Sequence, residues 1–137
     1  MREILFRGKR IDNGEWVYGN LNYGTIEIKS IKDSYYISDF DVNPWGKKFY
    51  PVIPESVGQY TGLTDKNGKK IFEGDIVKET IASNYQPIGQ IYYAPEFCQW
   101  RIEYINSIVL IGHIGKAQSY TILGNIHDNP ELLEGKS

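Results

Sequence analysis

An all-β fold is predicted by three features of this 137-residue chain. Apolar and polar residues alternate at period two in several segments, which places one face of a strand inward and the other towards water. Two Asn-Gly pairs fall between such segments, and Asn-Gly is the dipeptide that accepts positive φ in tight hairpin turns. Aromatic residues make up 14% of the chain, with 11 tyrosines, and Tyr and Trp suit half-buried pleated surfaces.

The elements follow in order. Arg7 to Ile11, the turn Asp12-Asn13-Gly14-Glu15 and Trp16-Val17-Tyr18 predict a hairpin with a type I′ turn. Ile26 and Ile28 share a face opposite Glu27 and Lys29. Asn67-Gly68 predicts a second turn between Tyr60-Thr61-Gly62-Leu63 and Ile71-Phe72. Glu73-Gly74-Asp75 reads as a turn feeding a strand at Ile76-Val77, because Gly relieves the φ constraint and Asp bonds nearby amides. Ile91-Tyr92-Tyr93 continues the set, and Trp100, Ile102 and Tyr104 share the face opposite Gln99, Arg101 and Glu103. The apolar run within Ser107 to Gly112 suits a strand buried on both faces. Tyr120, Ile122 and Ile126 form a last strand, with a bulge or close approach at Gly124. The one helical signal is terminal: Asn129 as cap, Pro130 in the first helical position and Gly135 as stop. Asp41 to Lys48 and Ala82 to Pro87 read as exposed loops. The expected core is Ile76, Val77, Ile91, Trp100, Ile102, Val109, Ile111 and Ile122.

Composition narrows the function classes. Fifteen bases against 17 acids give a net charge of −2, which provides no general attraction to nucleic acid or to an anionic membrane. No apolar run approaches the roughly 18 residues of a membrane span, and no leader is expected at the N-terminus. The single cysteine, Cys98, lies in Phe97-Cys98-Gln99-Trp100 and reads as a buried structural thiol in a reducing, cytoplasmic compartment.

Three stretches carry a family resemblance. They are Arg2-Glu3-Ile4-Leu5-Phe6-Arg7-Gly8 with Glu15-Trp16-Val17-Tyr18-Gly19, the central run from Val57 to Val77, and Tyr120 to Leu133 with its Leu123-Gly124-Asn125-Ile126-His127-Asp128-Asn129-Pro130. Together they resemble the YopX family of phage and prophage proteins along nearly the whole chain. The resemblance implies a β-rich fold whose C-terminal part is similar to a small SH3-like barrel. On that basis residues 1–56 are expected to form an N-terminal β lobe and residues 57–137 the barrel lobe of one YopX-type unit. The resemblance implies no activity and supplies no catalytic residues.

Each candidate for chemistry has a simpler structural explanation. His127-Asp128 sits at a strand end before a capped turn, and His113 has no partner of metal-ligand spacing. Asp65 and Asp75 belong to turns, where backbone amides account for a carboxylate. Gly62 to Lys70 differs from a phosphate loop: Lys70 stands where Ser or Thr is needed, and a strand rather than a helix follows. No catalytic, metal or cofactor-binding residue is therefore expected, and no cofactor. The remaining feature is aromatic and basic: Trp45, Lys47, Lys48, Phe49 and Tyr50, with Arg2, Arg7, Lys9 and Arg10 at the start of the chain. Small barrels bind single strands by stacking bases on aromatics in a basic groove. Such a site here would make about four phosphate contacts, so at most weak single-strand binding and no tight duplex binding are expected. The expected function is that of a non-enzymatic phage accessory protein acting through contact with another macromolecule, such as an unknown protein partner, or with copies of itself. Weak single-stranded nucleic-acid binding is the alternative, and a small hydrolase or nuclease comes third.

Overall fold

The computed structural model describes residues 2–26, 31–39, 48–105, 111–113 and 119–134. It is almost entirely β. Among the described residues, eleven strands occur in the order β1 (Phe6–Lys9), β2 (Trp16–Ile26), β3 (Ile31–Ser38), β4 (Phe49–Pro51), β5 (Gly58–Thr64), β6 (Lys70–Phe72), β7 (Asp75–Glu79), β8 (Ile88–Ala94), β9 (Gln99–Ile105), β10 (Ile111–His113) and β11 (Tyr120–Asn125). The 3₁₀ turns Pro54–Ser56 and Pro130–Leu133 are helical elements among the described residues. The chain divides into two compact units, residues 1–60 and 61–137, and β5 runs through the division. The sequence reading set the boundary at 56/57, in front of this strand.

In the first unit the strands lie in the order β4-β3-β2-β1-β5, and the second half of β5 continues into the second unit beside β6. The predicted β1–β2 hairpin is present, with Lys9 opposite Trp16 and Arg7 opposite Tyr18. Its turn is not type I′. Gly14 takes φ 73°, but Asn13 stays on the negative side. The Arg10 N–H donates to Glu15 O at 2.9 Å and the Gly14 N–H donates back to Arg10 O at 3.0 Å, so four residues turn and glycine ends the turn in the left-handed region. Asn13 Oδ1 accepts the Glu15 N–H at 2.9 Å, the local Asx bond that holds Asn at negative φ. Leu5, Tyr36, Ile37, Val52 and Tyr60 are the buried apolar residues of this unit.

In the second unit the sheet order is β10-β9-β8-β7-β11, all antiparallel. Its core is Ile71, Val77, Ile91, Ile102, Tyr104 and Tyr120, with Leu63 and Ile122 packed against it. Ile76 is also fully buried. The alternation expected for β9 holds from Ile102 to Tyr104, but Trp100 is only half-buried. It stands next to the β8–β9 hairpin tip, where the Tyr93 ring meets it edge-on with centroids 4.9 Å apart. Gly124 is the site of a register shift between β11 and β7, and a Cβ there would lie 2.4 Å from Asn129 Oδ1. Neither sheet closes into a barrel among the described residues. Val109, the rest of the 106–110 run and Gly135 lie outside the described residues, as do the side chain of Ile111 and the Ile28 face.

Candidate functional site

The aromatic and basic residues of the first unit are the strongest surface feature that the sequence singles out. Alternation along β1 puts Arg7 and Lys9 on one face, and the hairpin register sets Trp16 and Tyr18 beside them. The Arg7 guanidinium lies 4.6 Å from the Trp16 ring centroid and Lys9 Nζ lies 5.8 Å from it. Arg7 is buried, and the indole face offers its charge a partner in place of water.

The other basic stretch joins this one through the backbone. The Ile11 N–H donates to Pro51 O at 3.0 Å and the Ile53 N–H donates to Lys9 O at 2.8 Å, with Arg10 and Val52 bridged between them. The end of β1 therefore runs beside the end of β4, and the Arg10 guanidinium stacks 4.7 Å from the Tyr50 ring centroid. Arg10 also forms a fork with Asp12: Nε donates to Oδ1 at 2.9 Å and Nη2 to Oδ2 at 2.6 Å. That bonding holds the Asp12 carboxyl below the usual carboxylate range. Lys48 and Phe49 are exposed nearby, while Trp45 and Lys47 lie outside the described residues. Arg10 and Tyr50 thus meet, but there Tyr50 is capped by the protein's own Arg10 and Arg10 is paired with Asp12.

Asp65 and Asp75 of the second unit serve the backbone. Asp65 Oδ1 accepts the Asn67 and Lys69 N–H groups at 2.9 Å each, and Oδ2 accepts the Ile122 N–H at 3.2 Å. The Lys66 N–H donates to Tyr120 O at 2.9 Å. The β5–β6 turn thereby satisfies the outward-facing groups at the start of β11, covering a sheet edge. Burial pushes the Asp65 carboxyl up, but the three N–H donors and the Lys69 charge together outweigh it and hold the group below its ordinary value. Gly68, at φ 82°, completes the turn, and a strand follows it. Asp75 Oδ2 accepts the Phe72 N–H at 2.7 Å across the next turn.

The other candidates fall in three places. Asn125 Oδ1 accepts the backbone N–H groups of His127 and Asp128 at 3.0 and 2.9 Å, so this pair belongs to a turn. Asn129 precedes the 3₁₀ turn and Pro130 opens it, as expected, but the Asn129 side chain does not cap. Its Oδ1 accepts the Asn125 N–H at 3.3 Å instead. Cys98 corrects the sequence reading: it is exposed, at φ 50°, on the β8–β9 tip rather than buried. The tip turn lifts it off the sheet, with Sγ donating to Pro95 O at 3.6 Å. His113 lies in β10 opposite Arg101.

Two groupings escaped the sequence reading. Tyr104 donates to Glu79 Oε1 near Tyr120 and Tyr85, and burial first, then this bond, pushes its hydroxyl well above the ordinary tyrosine value. Tyr23 and Tyr35 stack across β2 and β3 with centroids 4.9 Å apart, 66% and 37% exposed. The shared face of Leu21 and Tyr23 was legible as period-two alternation, but the register that sets Tyr23 against Tyr35 was not. Among the described residues no three His, Cys, Asp or Glu side chains converge as metal ligands, and no helix is long and apolar enough to cross a membrane.

This is the architecture of a two-unit antiparallel β protein whose charged side chains are tied to its own turns and rings. The chain belongs to the YopX family: its sequence matches the family model described as YopX protein over residues 5–134. Among solved structures it is similar to the crystal structure of protein EF1440 from Enterococcus faecalis, at TM-score 0.54 and 23% identity, covering 98% of this chain and 100% of that one. That likeness concerns the fold. No functionally curated protein matches the chain.

Proposed function

We propose that this chain is a phage or prophage accessory protein that works by contact, binding another macromolecule or further copies of itself, and is not an enzyme. The observation that carries the reading is the set of large apolar side chains held out to solvent: Tyr18, Tyr23, Tyr35 and Phe49 in the first unit, Ile81, Tyr93 and Phe97 in the second. Aromatic residues are enriched where proteins bind one another, because they bury much area for little lost conformational freedom. A net charge of −2 opposes such contact little. The short, glycine-punctuated strands of residues 57–137 support an SH3-like, small-barrel-like module beside an N-terminal β lobe. The exposed thiol of Cys98 supports a reducing, cytoplasmic setting.

Sedimentation velocity across the micromolar range tests the self-association branch. Concentration-dependent growth is expected, and a monomer throughout removes that branch. Weak single-strand binding is the second reading, favoured by the approach of Arg10 to Tyr50. Fluorescence anisotropy with labelled oligonucleotides at several salt concentrations checks it. Sub-micromolar duplex binding near physiological salt would put nucleic acid first.

A further inference from the structure

We propose that the chain forms a twofold dimer in which the open edge of β2, Asn20 to Tyr23, pairs antiparallel with the same edge of a second copy. The proposal rests on the self-association reading and names its surface. β1 covers β2 only from Trp16 to Gly19. From Asn20 to Ile26 the registered partner of β2 is β3, on its other edge. Residues 2–5, which precede β1, carry no strand pairing, and Leu5 O accepts the Tyr60 N–H at 2.8 Å on the β5 side. β4, in turn, pairs with β3 only at Tyr36 to Ser38. Among the described residues, β2 and β3 thus extend beyond their neighbours as a two-stranded ribbon, an arrangement that is marginal in water on its own.

The exposed edge lacks the usual protection. Strand edges left in water are ordinarily guarded by Lys, Pro or an inward-pointing charge. Asn20-Leu21-Asn22-Tyr23 carries none of these. The bulge between Gly24 and Ile26 ends the regular stretch on one side, and β1 ends it on the other. What remains is a short, uncharged segment in which Asn22 Nδ2 donates to Asn20 O at 3.2 Å and to Ser38 Oγ at 2.9 Å, and whose outer edge has no registered strand partner among the described residues.

Self-complementarity selects a second copy as that partner. A twofold axis through Asn22 sets Asn22 opposite Asn22 and places Leu21 opposite Tyr23 of the second copy, and the reverse. Aliphatic and aromatic side chains then meet on one face, the face that carries the Tyr23–Tyr35 stack. Such a contact is isologous and closed, so it yields dimers rather than fibres. A pairing this short lies at the small end of protein interfaces, below about 1,200 Å², so micromolar association is expected.

The test uses the full chain in sedimentation velocity from about 1 to 100 µM. Tyr23→Lys adds the missing guard at a position 66% exposed, so folding is retained and checked by an unchanged Tm. It should weaken the dimer at least about tenfold. In a Cys98→Ser background, Asn22→Cys should form a disulfide-linked dimer under mild oxidation, because the axis brings the two copies of this position together. Asn13→Cys, exposed in the β1–β2 turn, should not. A wild-type chain that stays monomeric overturns both the self-association reading and this pairing. A dimer indifferent to Tyr23→Lys, or one in which Asn22→Cys links no better than Asn13→Cys, overturns the pairing and leaves self-association standing.

Discussion

Asp65 gives the sharpest check on how the second unit is held together. Its two oxygens have separate duties: Oδ1 shapes the β5–β6 turn through Asn67 and Lys69, while Oδ2 holds the Ile122 N–H on the edge of β11. Asp65→Asn can keep the first set but turns an amide donor towards the Ile122 N–H. A donor left unsatisfied in a partly buried place costs about 1–3 kcal/mol. Water can reach the N–H groups of the exposed Asn67 and Lys69, so Asp65→Ala adds only modestly to this, for a total of about 2–4 kcal/mol. With a urea m-value of about 2 kcal/mol per M, Asp65→Asn lowers the midpoint by about 1 M.

The carboxylate also sets a pH signature. The folded pKa of Asp65 lies below its unfolded value, so its contribution is complete above the ordinary aspartate pKa of about 3.9. The contribution falls as the pH drops below that value and is gone once the pH passes below the folded pKa. Urea midpoints measured from neutral pH down to about pH 3 should therefore converge for wild type and Asp65→Asn in acid. A variant whose midpoint matches wild type at neutral pH, or whose deficit persists undiminished in acid, would refute the assignment of Asp65 as the clamp on β11.

Three further outcomes are expected. Tyr104 has a raised pKa, so its contribution is complete below the ordinary tyrosine value near 10 and fades as the pH rises; Tyr104→Phe should lower stability by about 1–3 kcal/mol at neutral pH and flatten the alkaline decline, as read by circular dichroism. Cys98 should react fully with a thiol reagent in the native protein, and Cys98→Gly should gain about 0.5–1 kcal/mol by easing φ 50°; a thiol that reacts only after denaturation contradicts its exposed position. Ile102→Ala should cost about 2–5 kcal/mol, and Trp100→Ala less than its full burial would cost, because part of its side chain is already in water; a Trp100→Ala loss at the top of the range for a buried Trp in urea unfolding would contradict its partial exposure.

What could be read from the sequence was set by the range of the interactions involved. Strands and turns depend on neighbours a few residues apart, so β1–β2, the Asp65 and Asp75 turns and the Gly124 irregularity were legible from Asn13-Gly14, Asn67-Gly68 and the period-two faces. The turn types were not, because Asn13 chose its own Asx bond over positive φ. Trp100 alternates correctly with Ile102, yet a strand face does not say where the core ends along it. Cys98 was misplaced for a related reason: aromatic neighbours in sequence resemble a core even when a hairpin tip carries them into solvent. The second duty of Asp65 was hidden by the 57 residues that separate it from Ile122. The exposed Tyr23–Tyr35 stack likewise depends on a register that no local pattern fixes.

The same limit governs the aromatic and basic residues, and its resolution bears on the partner. A sequence shows that cations and rings are present; it does not show whether they meet each other or await a ligand. Here Trp16 faces Arg7 and Lys9, Tyr50 faces Arg10, and Phe97 faces Arg101 at 4.9 Å. Each cation–ring contact is worth about 0.5–1 kcal/mol at an exposed site and more when desolvated. A nucleobase stacking on one of these rings would gain about 1–3 kcal/mol but would first have to displace the resident cation. At Tyr50 the incoming phosphate would also compete with Asp12 for Arg10. Both costs fall on a polyanionic ligand. Neither falls on an uncharged strand arriving at Asn20 to Tyr23, which offers a strand edge, a partly buried Leu21 and an exposed Tyr23 ring against Tyr35. The balance of these terms favours a protein surface, and most simply a second copy of this one, over nucleic acid.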